Sequence, residues 1–244
     1  STTAIIAVTS GIFLLITGLL IAKPILEALD TPEDVIDLAV LYLRIYSLGM
    51  PFMMIYNFGA AILRSLGDTK RPFYSLVVAG AINVGLNLLL VIEFEMSVAG
   101  VAVATVISNI VNAGIIVFFL THEKGVFRLE LKQLSISKAE LKKILQIGVP
   151  AGIQGMVFSI SNVFVLATIN SFGSAAVAGS SAALNYEYYC YFVVSAFAQA
   201  TVAFTSQNYG AGQIERCKTI FRQSMLPGLL GCAALNLLIV WQKE

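Results

Sequence analysis

The chain has 244 residues, 58% hydrophobic and only 12% charged, with a net charge of +1 and a mean hydropathy of +0.85. Soluble domains carry about 25% charged residues, so this composition excludes an ordinary water-soluble fold. The near-zero net charge provides no global field for nucleic acid.

Seven apolar runs are predicted as helical spans, each near the ~20 residues needed to cross about 30 Å of hydrocarbon. The first covers residues 3–24 and is followed by acidic Glu27, Asp30, Glu33 and Asp34. The second, 38–63, carries Arg44, expected to snorkel to the outer end, and Pro51, expected to kink it. A basic loop with Arg64, Lys70 and Arg71 follows. The third, 73–92, ends in Glu93 and Glu95. The fourth, 98–120, is followed by Lys124, Arg128, Lys132, Lys138, Lys142 and Lys143. The fifth, 144–172, contains Pro150 near its start and ends in an uncharged turn at Ser171. The sixth, 178–206, is followed by Arg216, Lys218 and Arg222; the seventh covers 220–241, with Pro227 near its start. The runs are continuous rather than alternating, which argues for an all-α, polytopic helical membrane protein and against a barrel.

Basic loops alternate with basic-poor ones. The positive-inside rule therefore predicts that the chain's N-terminus is cytoplasmic and its last residue outside. The long connection holds Ser137-Lys138-Ala139-Glu140, a capping-box pattern. It predicts a short amphipathic helix leading into the fifth span. The chain thus divides into residues 1–121 with four spans, a solvated linker at 122–143, and residues 144–244 with three spans. If the first and seventh spans are equivalent, the repeat is about six helices long, as in many transporters. There is no initiator Met and no basic segment of a signal peptide at the start, so a processed chain or a fragment is expected.

Polar side chains inside spans carry the functional reading, because hydrocarbon penalises them unless they are paired or wet. Asn83 and Asn87 lie four apart on one helix face. Thr105, Ser108, Asn109 and Asn112 fall roughly on one face of the next span. Two readings stand: a shared polar cavity, or interhelical hydrogen bonds worth about 1 kcal/mol or less each. Taken as a set, the residues favour the cavity. The fifth span adds Gln154 and Asn162, and the sixth adds Asn185, Glu187, Tyr188 and Tyr189. Glu187 is expected to face the protein interior or water, either receiving a coupling proton, a cation or a basic substrate, or pairing structurally. Tyrosine faces suit organic cations. The expected cavity set is Asn109, Asn112, Gln154, Asn162, Asn185, Glu187, Tyr188 and Tyr189. Cys190, Cys217 and Cys232 have no ligand spacing and read as small apolar fillers. With His122 the single histidine, no histidine-based metal site is predicted. No HExxH, GxSxG or P-loop occurs, so no enzyme, ATP-driven pump or cofactor is expected.

Residues Ala61-Ile62-Leu63-Arg64-Ser65-Leu66-Gly67-Asp68-Thr69-Lys70-Arg71-Pro72 resemble the loop after the fourth helix of the multidrug and toxic compound extrusion (MATE) family. The stretch from Asn83 to Asn87, followed by Gly100-Val101-Ala102-Val103-Ala104-Thr105-Val106-Ile107-Ser108, resembles its fifth and sixth helices. Ile147-Gly148-Val149-Pro150 is similar to the entry of its seventh helix, and Ser206-Gln207-Asn208-Tyr209-Gly210-Ala211-Gly212 to the end of its eighth. The resemblance implies about twelve helices in two lobes around a central cavity. This chain would run from the third helix to the ninth, with two helices before it and about three after. It implies export of drugs and organic cations across the plasma (inner) membrane, driven by inward Na⁺ or H⁺. The implied partners are those small molecules, the lipid bilayer and the remaining helices. By matching residues, Asn83, Asn87 and Thr105 fall on the first lobe's cation site. Some members have a carboxylate where Asn87 stands, and some use a glutamate in the seventh helix, which the fifth span here lacks. Two alternatives are weighed. A related flippase of lipid-linked oligosaccharides is disfavoured because Arg44 is almost the sole basic residue within the spans. A non-transporting seven-helix protein of receptor type would have its N-terminus outside, against the charge pattern.

Overall fold

A computed structural model describes residues 1–28, 33–123, 128–130, 134–170 and 172–241. Asp30, Lys124, Lys132 and Ser171, used above for the loops, lie outside these residues. The described elements are all helical, and the chain forms two compact units, Ser1–Lys143 and Ile144–Glu244.

The first unit contains α1 (Thr2–Ala28), α2 (Glu33–Leu48), α3 (Met50–Ser65), α4 (Lys70–Leu88) with a π-helical turn at Leu89–Glu93, and α5 (Ser97–Thr121). α5 is its axis and packs on α2, α3 and α4. Its buried positions Gly100, Ala104, Ser108, Asn112, Ile116 and Leu120 recur every fourth residue. That ridge is small, then polar, then bulky. Hydrocarbon supplies no water to expel, so helices associate through close contact and hydrogen bonds, and glycines let them approach. A methyl group on Gly11 would lie 2.5 Å from the Pro51 Cα, and one on Gly59 would collide with Ile116. Beyond the polar middle, Ala60, Leu63, Ile116 and Leu120 form the apolar core.

The second predicted span is two helices. α2 and α3 meet at 45°, and α3 restarts after Gly49 with Pro51 in its first turn. Proline is tolerated there because a first-turn N–H has no partner inside the helix. The break to α4 is set by Gly67, at φ +83°. The Gly67 N–H donates to Arg64 O at 2.9 Å and the Asp68 N–H to Leu63 O at 3.0 Å, which is a Schellman closure. The Asp68 carboxylate then accepts from the backbone of Lys70 (3.0 Å) and Arg71 (3.1 Å), starting α4.

The second unit contains α6 (Lys138–Asn170, begun in the first unit), α7 (Ser174–Gly210) and α8 (Ile214–Trp241). α7 packs along α8, with Gly228 and Gly231 against Phe197 and Val193. Within this unit α6 packs on neither. The short linker helix predicted ahead of the fifth span is not separate, because α6 runs unbroken for 33 residues from Lys138. Ser137 does cap it, accepting from the Glu140 N–H at 3.4 Å. The reciprocal half of the box is replaced: the Ser137 N–H donates to Thr2 Oγ1 at 2.9 Å, and Glu140 pairs with Lys143.

Five described helices are long and apolar enough to cross a membrane, and the bent α2–α3 pair makes a sixth. α8 is not among them over its described residues. Its first turns carry Arg216, Lys218 and Arg222, and Asn236 interrupts its apolar part.

Candidate functional site

The polar residues of α4 and α5 meet in a half-buried seam. Asn83 Nδ2 donates to Ser108 Oγ at 3.0 Å, and Ser108 donates on to Ala104 O. Asn87 Nδ2 donates to both Asn83 O (2.9 Å) and Asn83 Oδ1 (3.0 Å). These bonds point the Asn87 Oδ1 away from its own donors. That oxygen is buried and has no hydrogen-bond partner among the described residues. An unpaired acceptor of this kind costs about 1–3 kcal/mol, and a cation is one species that would satisfy it.

Other expected residues lie apart from the seam. The Thr105 hydroxyl bonds Val101 O at 2.9 Å, within its own helix. Asn112 is buried and takes two contacts from Ser75, whose hydroxyl reaches its O at 3.2 Å and its Oδ1. Asn109 sits against the α2–α3 break: a methyl group on Gly49 would lie 3.2 Å from Asn109 Nδ2. The fourth span's polar residues thus divide between α4 (Ser108 and Asn112), the α2–α3 break (Asn109) and their own helix (Thr105). Ser75 is absent from the expected polar face, and Ser108, expected on that face, is absent from the expected cation and cavity sets. Ser108 was visible through its place on the four-residue ridge. Ser75 pairs with a residue 37 positions away, which no local pattern reports.

In the second unit, Gln154 and Asn162 are exposed on α6 and Asn185, Glu187, Tyr188 and Tyr189 on α7. Asn185 Nδ2 bonds Ser181 O in its own helix at 3.0 Å. Tyr188 stacks on Phe192 with centroids 6.3 Å apart. Because α6 does not pack on α7, these residues are not brought together within the unit. Glu187 faces away from enclosed protein here. Among the described residues no group of three or more His, Cys, Asp or Glu is arranged to hold a metal ion.

The basic loop of the first unit is tied to α5. Arg71 pairs with Asp68 and, at 2.6 Å, with Glu123, and its guanidinium lies 5.8 Å from the centroid of the Phe119 ring. Burial alone would raise the Asp68 carboxyl. The hydrogen bonds from the Arg71 side chain and from the Arg71 and Lys70 backbones outweigh it and hold the group below its usual value.

The MatE family model matches residues 1–89 and 150–244. The chain is 30% identical over 242 residues to the probable multidrug resistance protein YoeA of Bacillus subtilis (strain 168), covering 96% of this chain and 52% of that protein. It is 26% identical over 205 residues to the FAD transporter of Shewanella oneidensis, covering 82% of this chain and 45% of that one. The solved outward-facing structure of a multidrug resistance MATE family transporter of the MOP superfamily shares the fold. Its TM-score is 0.88 at 24% identity, covering 98% of this chain and 54% of that chain. The chain spans about half the length of the curated relatives it matches.

Proposed function

The chain belongs to the MatE family, and on that premise we propose that it forms part of a cation-coupled antiporter that exports drugs and organic cations. The observation that carries this reading is the buried Asn87 Oδ1, which has no hydrogen-bond partner among the described residues while the Asn87 Nδ2 is spent on Asn83. Amide oxygens supply lone pairs to a metal cation, but an amide does not take up a proton at ordinary pH. These residues therefore support Na⁺ over H⁺ as the ion held in this seam. Thr105, two helical turns or less from Ser108 and Val101, is the expected third oxygen, recruited by turning its hydroxyl from Val101.

The cargo reading rests on charge. Within the spans the sequence carries the acidic Glu187 with neighbouring tyrosines and almost no basic residue but Arg44, so a cationic or neutral amphiphile is favoured over an anion. In this reading the chain contributes to both lobes of a two-lobe, repeat-built transporter, with basic loops on the cytoplasmic side. Exposed α6 and α7 surfaces are where the remaining helices and lipid pack.

The test is Na⁺-driven transport of a fluorescent organic cation by the protein reconstituted in liposomes. Asn87→Ala is expected to lower transport about tenfold, equivalent to about 1.4 kcal/mol of lost cation binding. Asn87→Asp, which keeps the acceptor and adds charge, is expected to retain it. Unchanged transport by Asn87→Ala, or transport driven by a proton gradient without Na⁺, would remove this reading.

A further inference from the structure

The three cysteines, all expected as small apolar fillers, are not equivalent in the second unit. Cys217, near the start of α8, acts as a donor: its S–H reaches Gln213 O at 3.4 Å and Thr205 O at 3.6 Å. Cys190 of α7 and Cys232 of α8 meet each other instead, with their sulfurs in hydrogen-bonding contact across the helix pair. Both are free and half-buried.

The register of the two helices brings the pair together. α7 and α8 run antiparallel, with Phe197 against Gly228 and Val193 against Gly231. One further turn along each helix brings Cys190 to the segment that holds Cys232 and Asn236. The two glycines let the backbones approach closely enough for two short side chains to touch.

The polar groups around the pair favour a charged sulfur and a cation. Asn236 Nδ2 donates to Cys232 Sγ at 3.4 Å as well as to Cys232 O at 2.9 Å, and the same side chain contacts Cys190. An amide N–H aimed at sulfur supports the thiolate, whereas the S–H of Cys217 is spent on carbonyls. Glu187 stands three residues before Cys190 on α7 and within range of its charge, and a carboxylate there favours a cation at the sulfurs.

The donor set selects the ion. Na⁺, Mg²⁺ and Ca²⁺ prefer oxygen ligands. Zn²⁺ takes four ligands in closed sites, and no group of three or more His, Cys, Asp or Glu is available among the described residues. Two sulfurs facing each other across a helix pair suit a soft monovalent ion that is satisfied by two ligands. One thiolate, one thiol and one such cation sum to zero charge, the state that a membrane interior tolerates. Binding breaks the S–H bond of one cysteine and releases its proton to solvent. Each sulfur then gives a lone pair to the metal, and no oxidation state changes.

We propose that Cys190 and Cys232 form a two-sulfur site for a soft monovalent metal cation of the Ag⁺ or Cu⁺ class, bridging α7 to α8. The inference rests on the second unit alone and is independent of the coupling ion held by α4 and of the cargo.

The test is titration of the pre-reduced protein in nanodiscs with Ag⁺, in chloride-free buffer, read by native mass spectrometry and calorimetry. One tightly held Ag⁺ per chain is expected. Cys190→Ser and Cys232→Ser should each weaken binding at least about 100-fold, the lower end of the gain from joining two ligands in one site. Cys217→Ser should leave binding unchanged, and Asn236→Ala should weaken it about fivefold, the worth of one hydrogen bond. A second measurement uses the unmodified protein. Phenylarsine oxide condenses with two adjacent thiols and releases one water, so the mass should rise by one phenylarsenic group, and prior Ag⁺ should block the reaction. The proposal is overturned if either Cys190→Ser or Cys232→Ser binds Ag⁺ as tightly as the unmodified protein, or if binding is lost only in Cys217→Ser. Failure of the unmodified protein to form the phenylarsenic adduct overturns it as well, even where a cysteine variant does not fold.

Discussion

The two units use glycine and asparagine at comparable places and obtain different results. In the first, α5 is enclosed on three sides and buries eight of its residues, and the glycines at 11, 18, 49 and 59 sit where another helix touches. In the second, Gly228 is the one described residue classed as buried. Gly148, Gly152 and Gly155 of α6 have nothing within 4 Å of an added methyl group. The same small residue therefore marks a filled crossing at 11, 18, 49 and 59 and an unfilled surface along α6. Spacing alone shows where a helix can be approached; the neighbour decides whether it is.

Substitutions that enlarge glycine should break this contrast most visibly. Gly11→Leu and Gly59→Leu press side-chain atoms into Pro51 and Ile116. Each is expected to destabilise the protein by about 1–3 kcal/mol, the usual cost of overpacking. Gly114→Leu, in the same unit with open space around it, should be near neutral. Melting followed by size-exclusion fluorescence measures all three. Gly152→Leu sharpens the comparison. Gly148 and Gly152 form a small-xxx-small pair of the kind that seats a helix, so a loss of stability comparable to Gly11→Leu is expected. A neutral outcome at Gly152 would assign that face to lipid.

Helix type, the break near Pro51 and the adjacency of Asn83 and Asn87 were legible because each is local. The family-like loops were legible for the same reason. Gly67 and Gly212 both adopt positive φ and close a helix by the same pair of backbone bonds, so those motifs encode chain reversal. The unbroken α6 and the Ser75–Asn112 pair were not legible. A span that is apolar on every side carries little periodicity to say which side is buried. The Thr2–Ser137 bond joins residues 135 apart and displaces half of a capping box. The π-helical turn at Leu89–Glu93 also has no signature in composition.

The next largest effect concerns asparagines. Asn112 is buried and bonded across helices to Ser75, whereas Asn185 bonds only its own backbone. A double-mutant cycle with Asn112→Ala and Ser75→Ala is expected to give a coupling of about 0.6 kcal/mol, and not more than about 1.7. Asn185→Ala should change stability less than either single substitution. A coupling of zero for the pair would mean that its members act separately, and the ridge on α5 would then hold through packing alone.

The smallest effect separates two junctions of one design. Asp68 follows Gly67 and binds Arg71; Gln213 follows Gly212 and binds Arg216 through Oε1 at 3.1 Å. One acceptor titrates and the other does not. Burial acts to raise the Asp68 carboxyl, but its hydrogen bonds to Arg71 and Lys70 win and depress it. A carboxyl whose folded value is depressed stabilises the fold above its unfolded value of about 3.9, and that contribution is lost as pH falls through the folded value. The α3–α4 junction should therefore loosen below about pH 4, while the α7–α8 junction should not. The pairs are partly exposed, so the change should stay below about 1 kcal/mol. Hydrogen-exchange protection of residues 63–72 and 208–217, corrected for intrinsic exchange, reads both. Asp68→Asn should remove the acid dependence and Gln213→Asp should create it at the second junction. Equal acid sensitivity in the two unmodified junctions would show that the carboxylate is not what distinguishes them.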